Sequence, residues 1–293
     1  MNWKQPGRVL KQTVDEFRKD DALRLSAALA YYAAFSLAPL LLISIAVAGA
    51  FFGEEAVRGQ LDDELKRSLG PSGAFAVQDM IAHARKPEQN ALVSAAGVVM
   101  LLVGAGGFFG QLQAALNSLW GVQPKPGRGF VGMLKDRFAS FTMVLGTGFL
   151  LLVSMILTAV LESIGAYANS LLSLPPGLWM VVNTGGSFVI VALLFAGIFK
   201  VLPDAEVRWR HVGIGAAFTA ALFVAGKYLI GWYLGREATA SAYGTAGSLA
   251  LVLLWVYYST IILLFGAEFT QVWANSRGMD IEPSKDAVKA PNY

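Results

Sequence analysis

The sequence predicts an all-α integral membrane protein with about six transmembrane helices and with both termini in the cytoplasm. Its 293 residues are 55% hydrophobic and only 15% charged, a balance unlike that of an ordinary soluble protein. The hydrophobic residues cluster into six stretches of about 20 to 26 residues, each long enough to cross about 30 Å of hydrocarbon. Lys and Arg are concentrated in alternate connecting segments, which predicts an orientation.

The six predicted spans form one transmembrane domain over residues 25–275. A cytoplasmic amphipathic segment precedes it at residues 1–24. A cytoplasmic tail follows at residues 276–293 and is expected to be mobile. The first span is too long for a signal-peptide core and lacks a cleavage site after it, so we expect it to remain in the mature protein. The spans are Ala27–Phe52, Ala91–Gly110, Phe138–Leu161, Leu178–Phe199, Val212–Leu234 and Leu249–Trp273.

The distribution of positive charge predicts which loops face the cytoplasm. Sixteen Lys and Arg residues lie in the N-terminal segment, the second loop, the fourth loop and the tail, against six in the other three loops. Loops rich in Lys and Arg stay in the cytoplasm. The four richer segments are therefore predicted to face inward.

Short amphipathic helices are predicted in the N-terminal segment and in the first outer loop. In the N-terminal segment Leu10, Val14 and Phe17 recur at helical intervals, so this helix lies either along the membrane surface or against cytoplasmic loops. The outer loop, residues 53–90, carries apolar residues at four-residue spacing before a break at Gly70-Pro71, and a second helix follows. This helical hairpin either caps an outer opening or only covers the ends of the spans.

Small residues recur at four-residue spacing in the second and fifth spans. Such stripes let helix backbones approach closely in lipid, and they leave room for a homo-oligomer. The glycine cluster at residues 104–107 is alternatively a flexible point for opening and closing. The residues expected at helix contacts are Gly106, Gly110, Gly213, Ala217 and Ala221.

Lys227 is the most informative residue within a span, because a cation in hydrocarbon is costly and marks a pathway or a paired interior site. It is predicted to lie about 22 Å from the inner end of its span and about 10 Å from the outer end. Its side chain can therefore also reach toward the outer headgroups. Both interpretations stay open from the sequence.

Glu268 lies near the inner end of the sixth span. Tyr257 precedes it by eleven residues and Gln271 follows it on nearly the same helix face. A polar stripe of this kind faces protein or water rather than lipid. Alternatively, Glu268 only accepts hydrogen bonds from a neighbouring helix or a basic loop residue. A direct ion pair with Lys227 is not expected, since the two residues are about 15 Å apart along the membrane normal.

Pro39 is expected to kink the first span, because proline removes a backbone hydrogen bond within a helix. Tyr31 and Tyr32 lie up to two turns earlier. The kink either opens space for a substrate beside them or serves packing alone.

The sequence offers little for catalysis. It contains no cysteine, which excludes cysteine-ligated metals. Its two histidines, His83 and His211, fall in loops predicted on opposite sides of the bilayer, so they cannot form one metal site or one catalytic dyad. Motifs of zinc hydrolases, P-loop ATPases and serine hydrolases are absent. We therefore expect no enzyme activity, no cofactor and no metal, while a carboxylate-based membrane enzyme acting on lipid stays a third possibility.

Three segments resemble the YihY/BrkB family of bacterial inner-membrane proteins. They are LAYYAAFSLAPLLL at Leu29–Leu42, the pattern Pro203, Trp209 and Gly215-Ala216, and AYGTAGSLALVLLWVYYSTIILLFGAEF at Ala242–Phe269. The resemblance implies a six-helix, multi-pass protein of the bacterial inner membrane. Members of this family have been associated with virulence and envelope lipid transport, and the family long carried a ribonuclease label. The sequence argues against that label and against a nucleic-acid partner, since a zinc-dependent nuclease needs a cluster of histidines and carboxylates.

The leading hypothesis is an inner-membrane transporter or flippase-like protein for a lipid or other amphiphile, with membrane lipids as partners. Lys227, the stripe from Tyr257 to Glu268 and the kinked first span motivate it. The alternative is a non-transporting envelope scaffold or virulence-associated membrane protein, which would tolerate substitutions inside the bilayer.

Overall fold

The computed structural model describes residues 5–84, 107–125, 176–236 and 239–290. The predicted third span and most of the second lie outside these residues. The described helices are α1 Gln5–Lys19, α2 Ala22–Phe52, α3 Glu54–Ala84, α4 over residues 107–119, α5 Pro176–Val201, α6 Trp209–Arg236 and α7 Thr239–Asn275. Besides these helices there are four short strands, β1 Val122–Pro124, β2 Ala205–Glu206, β3 Glu282–Pro283 and β4 Ala287–Lys289.

The long helices coincide with predicted spans. α2, α5, α6 and α7 contain the first, fourth, fifth and sixth of them. Within the described part of the chain, Leu249–Asn275 has the length and composition to cross a membrane, and α2 supplies a second such helix if its two bent halves form one span.

α2 bends by 43° between Ala22–Ala38 and Leu40–Ala46. The bend lies at Pro39. Proline in general bends a helix, because its ring clashes with the preceding turn and it has no backbone N–H to donate. The kink predicted from Pro39 is therefore present.

α3 is broken in its middle at Gly70, which has φ 73° and ψ 174°. Glycine adopts positive φ without the steric cost that a Cβ imposes. On either side of this break, Val57, Leu69, Val77 and Ile81 are buried in one apolar cluster, and the Gln78 amide donates to the Asp62 carboxylate. The break predicted at Gly70-Pro71 is present, and the two halves of α3 contact each other.

α1 packs against α7. Its buried side chains, Val9, Thr13 and Phe17, recur every four residues, and the Phe17 ring meets the Phe265 ring edge-on at 5.5 Å. Leu10, which the sequence placed on the apolar face, is 45% exposed. The helix thus packs on the last long helix through Val9, Thr13 and Phe17. Phe17 belongs to the predicted apolar face, whereas Leu10 points away from the contact.

The C-terminal tail is structured as far as residue 290. β4 pairs antiparallel with β1, and β3 pairs antiparallel with β2. Ile281 and Ala287 are buried. The expectation of a mobile tail is therefore wrong, because the tail buries apolar side chains and pairs its backbone with two earlier loops.

α7 is the central helix, since it contacts α1, α2, α3 and α6. The larger apolar cluster joins its second half to α4, α5 and α6, with Leu116, Phe199, Val212 and Leu264 buried there. A smaller cluster joins its first half to α2 and α3. The candidate site residues are therefore positioned mainly by α7 and by what packs on it.

Candidate functional site

A narrow crevice between α6 and α7 contains Lys227, and we call it the Lys227 crevice. It is lined by Phe223, Lys227, Trp255, Tyr258 and Ser259. Phe223 and Lys227 are four residues apart and share one face of α6. Tyr258 and Ser259 follow Trp255 by three and four residues, so these three share one face of α7. The crevice is therefore formed where these two helix faces meet.

Aromatic side chains form the sides of this crevice. The Phe223 ring meets the Trp255 ring edge-on at 5.7 Å. The Tyr258 hydroxyl occupies the space that a Cβ at position 226 would need, so Gly226 permits this close approach. Small residues have this role where helices pack in membranes. The crevice depends on glycine at position 226.

Two polar groups lie together in the crevice. Lys227 is half-buried, and the Ser259 hydroxyl oxygen is buried without a hydrogen-bond partner among the described residues. A buried hydroxyl normally has a hydrogen-bond partner. An ammonium group and this hydroxyl can together bind an anionic group of a ligand.

Glu268 lies about 15 Å farther along α7 than Tyr258, by helix rise. It is 0% exposed. The Gln271 amide, in the orientation that satisfies its own contacts, donates to Glu268 Oε2 at 3.3 Å and to the Leu119 carbonyl oxygen at 3.0 Å. The structure therefore brings Glu268 and Gln271 together, and it places both away from the Lys227 crevice.

Tyr257 is half-buried beside the crevice and does not line it. Its carbonyl oxygen accepts a hydrogen bond from the Thr260 hydroxyl at 2.8 Å. Tyr257 was predicted as a site residue because its spacing from Glu268 places both on one helix face. However, α6 approaches α7 on the neighbouring face, which carries Tyr258. The sequence analysis missed Trp255, Tyr258 and Ser259. Tyr258 and Ser259 follow Trp255 by three and four residues, but this spacing indicates a site only once Lys227 is known to lie opposite these residues.

Tyr31 and Tyr32 lie on the surface of α2 and do not line the Lys227 crevice. They are 63% and 44% exposed, and their rings meet edge-on at 6.2 Å. Tyr31 also meets the Phe35 ring at 5.0 Å. The side chain of Pro39 lies outside what the structure describes, so the bend of α2 is its only described consequence here.

The predicted stripe of small residues in α6 faces away from α7. Gly213 and Ala221 are exposed, and Ala217 is half-buried. A Cβ added at Gly213 or at Gly110 would meet no described atom within 4 Å. Gly106 lies outside the described residues. The stripe therefore makes no close helix contact within the described part of the chain, and helix packing at these residues stays a prediction.

The close helix contacts occur at other glycines. The Thr270 side chain fills the space beside Gly215, and the Thr219 side chain fills the space beside Gly266. Thr219 donates to the Gly215 carbonyl oxygen at 2.7 Å, and Thr270 donates to the Gly266 carbonyl oxygen at 2.7 Å. Four-residue spacing shows that residues share a face, but not which face meets a neighbour.

His211 is buried at the start of α6, one residue before the predicted fifth span. Burial lowers the pKa of its imidazole, and the positive charges of Arg210, Arg208 and Arg277 lower it further. Neither ring nitrogen has a hydrogen-bond partner in the described part of the chain. The sequence places His211 in a cytoplasmic loop, whereas the structure places it in the first turn of α6, where it is 4% exposed.

Comparison with known proteins identifies the family. The family model of the virulence factor BrkB matches residues 13–291, and no solved structure matches the chain. A UPF0761 membrane protein of Alkalilimnicola ehrlichii is 29% identical over 268 residues, which cover 89% of this chain and 57% of that protein. A UPF0761 membrane protein of Chromobacterium violaceum is 31% identical over 253 residues, which cover 85% of this chain and 57% of that protein.

A third relative is similar in length to this chain. The UPF0761 membrane protein MS0032 of Mannheimia succiniciproducens is 25% identical over 266 residues, which cover 89% of this chain and 88% of that protein. The chain thus spans less than two thirds of the first two relatives and most of the third. These matches confirm the resemblance seen in the sequence motifs. The chain belongs to the virulence factor BrkB family and is a membrane protein.

Proposed function

We propose that this chain is a multi-pass protein of the bacterial inner membrane that moves a lipid or another amphiphile, and that the Lys227 crevice binds the polar head of that molecule. One observation carries the proposal. In a membrane protein, a half-buried ammonium group and a buried hydroxyl without a described partner line the same aromatic crevice. An ionisable residue within an apolar span by default marks a pathway or an interior site.

The chemistry of the lining favours an amphiphile with an anionic head. The Lys227 ammonium supplies positive charge, and the Ser259 hydroxyl can donate to a phosphate or carboxylate oxygen. Trp255 and Phe223 supply apolar surface for the adjoining part of the molecule. The ammonium charge attracts an anionic head group and not a neutral one, so a neutral head group is expected to bind less well.

Six spans with both termini inside the cell are part of this proposal. The segments predicted to face the cytoplasm meet at one end of the described structure. There α1 contacts the second half of α7, and the loops after α4 and α5 pair with the tail strands. A chain whose termini and alternate loops meet at one end crosses the membrane an even number of times, which supports the proposed topology.

The proposal is tested by lipid movement in vesicles that contain the purified full chain. Fluorescent anionic and zwitterionic lipids are placed in one leaflet, and their transfer is followed by quenching from outside, with and without ion gradients. We expect transfer of the anionic lipid, reduced at least tenfold in Lys227→Ala and in Lys227→Gln. The control is Lys285→Ala, an exposed lysine of the tail.

One result would end the transport proposal, and a second would remove Lys227 from it. One is transfer that equals that of empty vesicles under every gradient. The other is transfer unaffected by both Lys227 substitutions, which would mean that the ammonium only extends toward the headgroups.

A non-transporting scaffold is the second candidate. It is favoured by the tail, whose strands pair with two earlier strands. β1 and β2 hold the tail against the α4 and α5 ends, and Trp209 beside them is 65% exposed. This surface is suited to a partner protein or to a second copy of the chain. A scaffold is supported if Trp209→Ala abolishes cellular function in a protein that still folds, while Lys227→Ala leaves that function intact.

A further inference from the structure

A second polar site lies where the turn between α1 and α2 meets α7. Its centre is the Glu268 carboxyl group, which is 0% exposed. The Asp20 side chain lies within hydrogen-bonding reach of that group, and the charges of Glu16 and Lys19 act on it. Two acidic side chains from different parts of the chain thus lie close together, and one of them is buried.

The local backbone accounts for this contact. Phe17 and Phe265 meet edge-on at 5.5 Å. Asp20 follows Phe17 by three residues, and Glu268 follows Phe265 by three residues, so each carboxyl lies about one helical turn beyond the aromatic contact. Asp21 has φ 51°, a left-handed conformation that aspartate tolerates better than most residues. This conformation ends α1 and turns the chain into α2.

The hydrogen bonds around Glu268 leave part of it unsatisfied. Oε2 accepts from the Gln271 amide at 3.3 Å. Oε1 is buried and accepts no hydrogen bond from a described donor. Lys19 is engaged with Glu16 at 3.0 Å, so the nearby cation is shared with another carboxylate. α4 contributes the Leu119 carbonyl oxygen beyond Gln271, which adds a partial negative charge.

Two adjacent carboxylates cannot both stay ionised at low cost when one of them is buried. A hydrogen bond between two carboxyl groups also requires that one of them carries a proton. We propose that Asp20 and Glu268 form a proton-binding site that holds one proton between them. Because Asp20 is half-exposed on the turn, this proton exchanges with the side of the membrane on which α1 lies.

Release of the proton has a mechanical consequence. It leaves two negative charges in contact, which repel each other and loosen the α1–α2 turn from α7. The site therefore links proton occupancy to the docking of α1. This inference does not depend on transport, since a scaffold protein with the same contact would bind the proton equally.

The test is infrared spectroscopy of the full-length protein in lipid nanodiscs, in which a protonated carboxyl group gives its own carbonyl band. We expect a titratable band in the wild type that is lost in Glu268→Gln. In Asp20→Asn the pH midpoint of the band should move by about one pH unit or more, because the proton is no longer shared. Glu282→Gln, at an exposed tail residue, is the matched control and should titrate as the wild type does.

Three results would overturn the proposal. The first is a band that Glu268→Gln leaves unchanged. The second is a midpoint that Asp20→Asn does not move; this half-exposed position gives an answer even if the buried substitution impairs folding. The third is a wild-type band that disappears on addition of Na⁺ at constant pH, which would make the site a sodium site.

Discussion

Asn117 and Asp204 are joined by two hydrogen bonds although 87 residues separate them. Asn117 Nδ2 donates to Asp204 Oδ2 at 2.9 Å, and the Asp204 backbone N–H donates to Asn117 Oδ1 at 2.8 Å. Asn117 is 6% exposed. The pair ties the end of α4 to the loop between α5 and α6, directly before β2.

Loss of this pair should destabilise the protein. Asn117→Ala leaves the Asp204 carboxylate partly buried without its partner, which costs about 1–3 kcal/mol. We expect a lower apparent Tm in detergent, measured by thermal unfolding. Asn275→Ala is the control, since Asn275 is exposed at the end of α7. Equal Tm values for the two variants would show that the hydrogen bonds contribute nothing measurable.

Glycine substitutions should separate contact faces from free faces. Gly266→Ala places a methyl group against the Thr219 side chain, and overpacking of this kind costs about 1–3 kcal/mol. Gly213→Ala adds a methyl group that meets no atom of the described residues, and alanine favours a helix over glycine by about 1 kcal/mol. The first variant should lower the apparent Tm and the second should keep or raise it. The reverse order would mean that α6 turns its other face to α7.

A designed disulfide should report the tail sheet. Gln123 and Val288 are paired residues of β1 and β4, and such partners have Cα atoms about 4.5–5.5 Å apart, within the range of a disulfide. The chain has no cysteine of its own. In Gln123→Cys/Val288→Cys, mild oxidation should remove both thiols from reaction with a maleimide reagent, and reduction should restore them.

The matched control for this disulfide is Gln123→Cys/Ser276→Cys, in which the second position lies at the end of α7 rather than in β4. Its thiols should stay reactive after the same oxidation. Equal oxidation of both pairs would indicate that the tail does not hold the described register.

His211 should make stability depend on pH. Its folded-state pKa lies below the ordinary value of 6.5 because of burial and nearby arginines, so the unfolded chain binds more protons at acidic pH. The contribution of His211 to stability is therefore present above about pH 6.5 and is lost as the pH falls, by at most about 1.4 kcal/mol per pH unit. The apparent Tm should fall on acidification, and His211→Gln should flatten this dependence.

His83→Gln is the control for that experiment, because His83 is the other histidine of the chain. It should keep the wild-type pH dependence. A slope that persists unchanged in His211→Gln would assign it to other groups.

Local signals in the sequence predicted much of the helical framework. Pro39 and Gly70 act on their own backbone, so the bend of α2 and the break of α3 follow from the residues themselves. Contacts between distant segments could not be read in this way. Lys227 lines its crevice together with Tyr258 rather than Tyr257 because of where α6 crosses α7, and the contact of Asp20 with Glu268 depends on the aromatic pair beside it.

The tail shows the same limit. Its strands have two or three residues each, too short for an alternating pattern to be recognised. Their partners lie about 80 and 165 residues earlier in the chain, so no local rule identifies them.

The pairing of the tail also sets an order of events during biosynthesis. β1 and β2 are made long before β3 and β4, and neither has its backbone partner until residues 282–289 have left the ribosome. The helices inserted earlier therefore lack these strand pairs at that end of the protein until then. Residues 282–289 close it, so a chain cut short before them would enter the membrane without completing its fold.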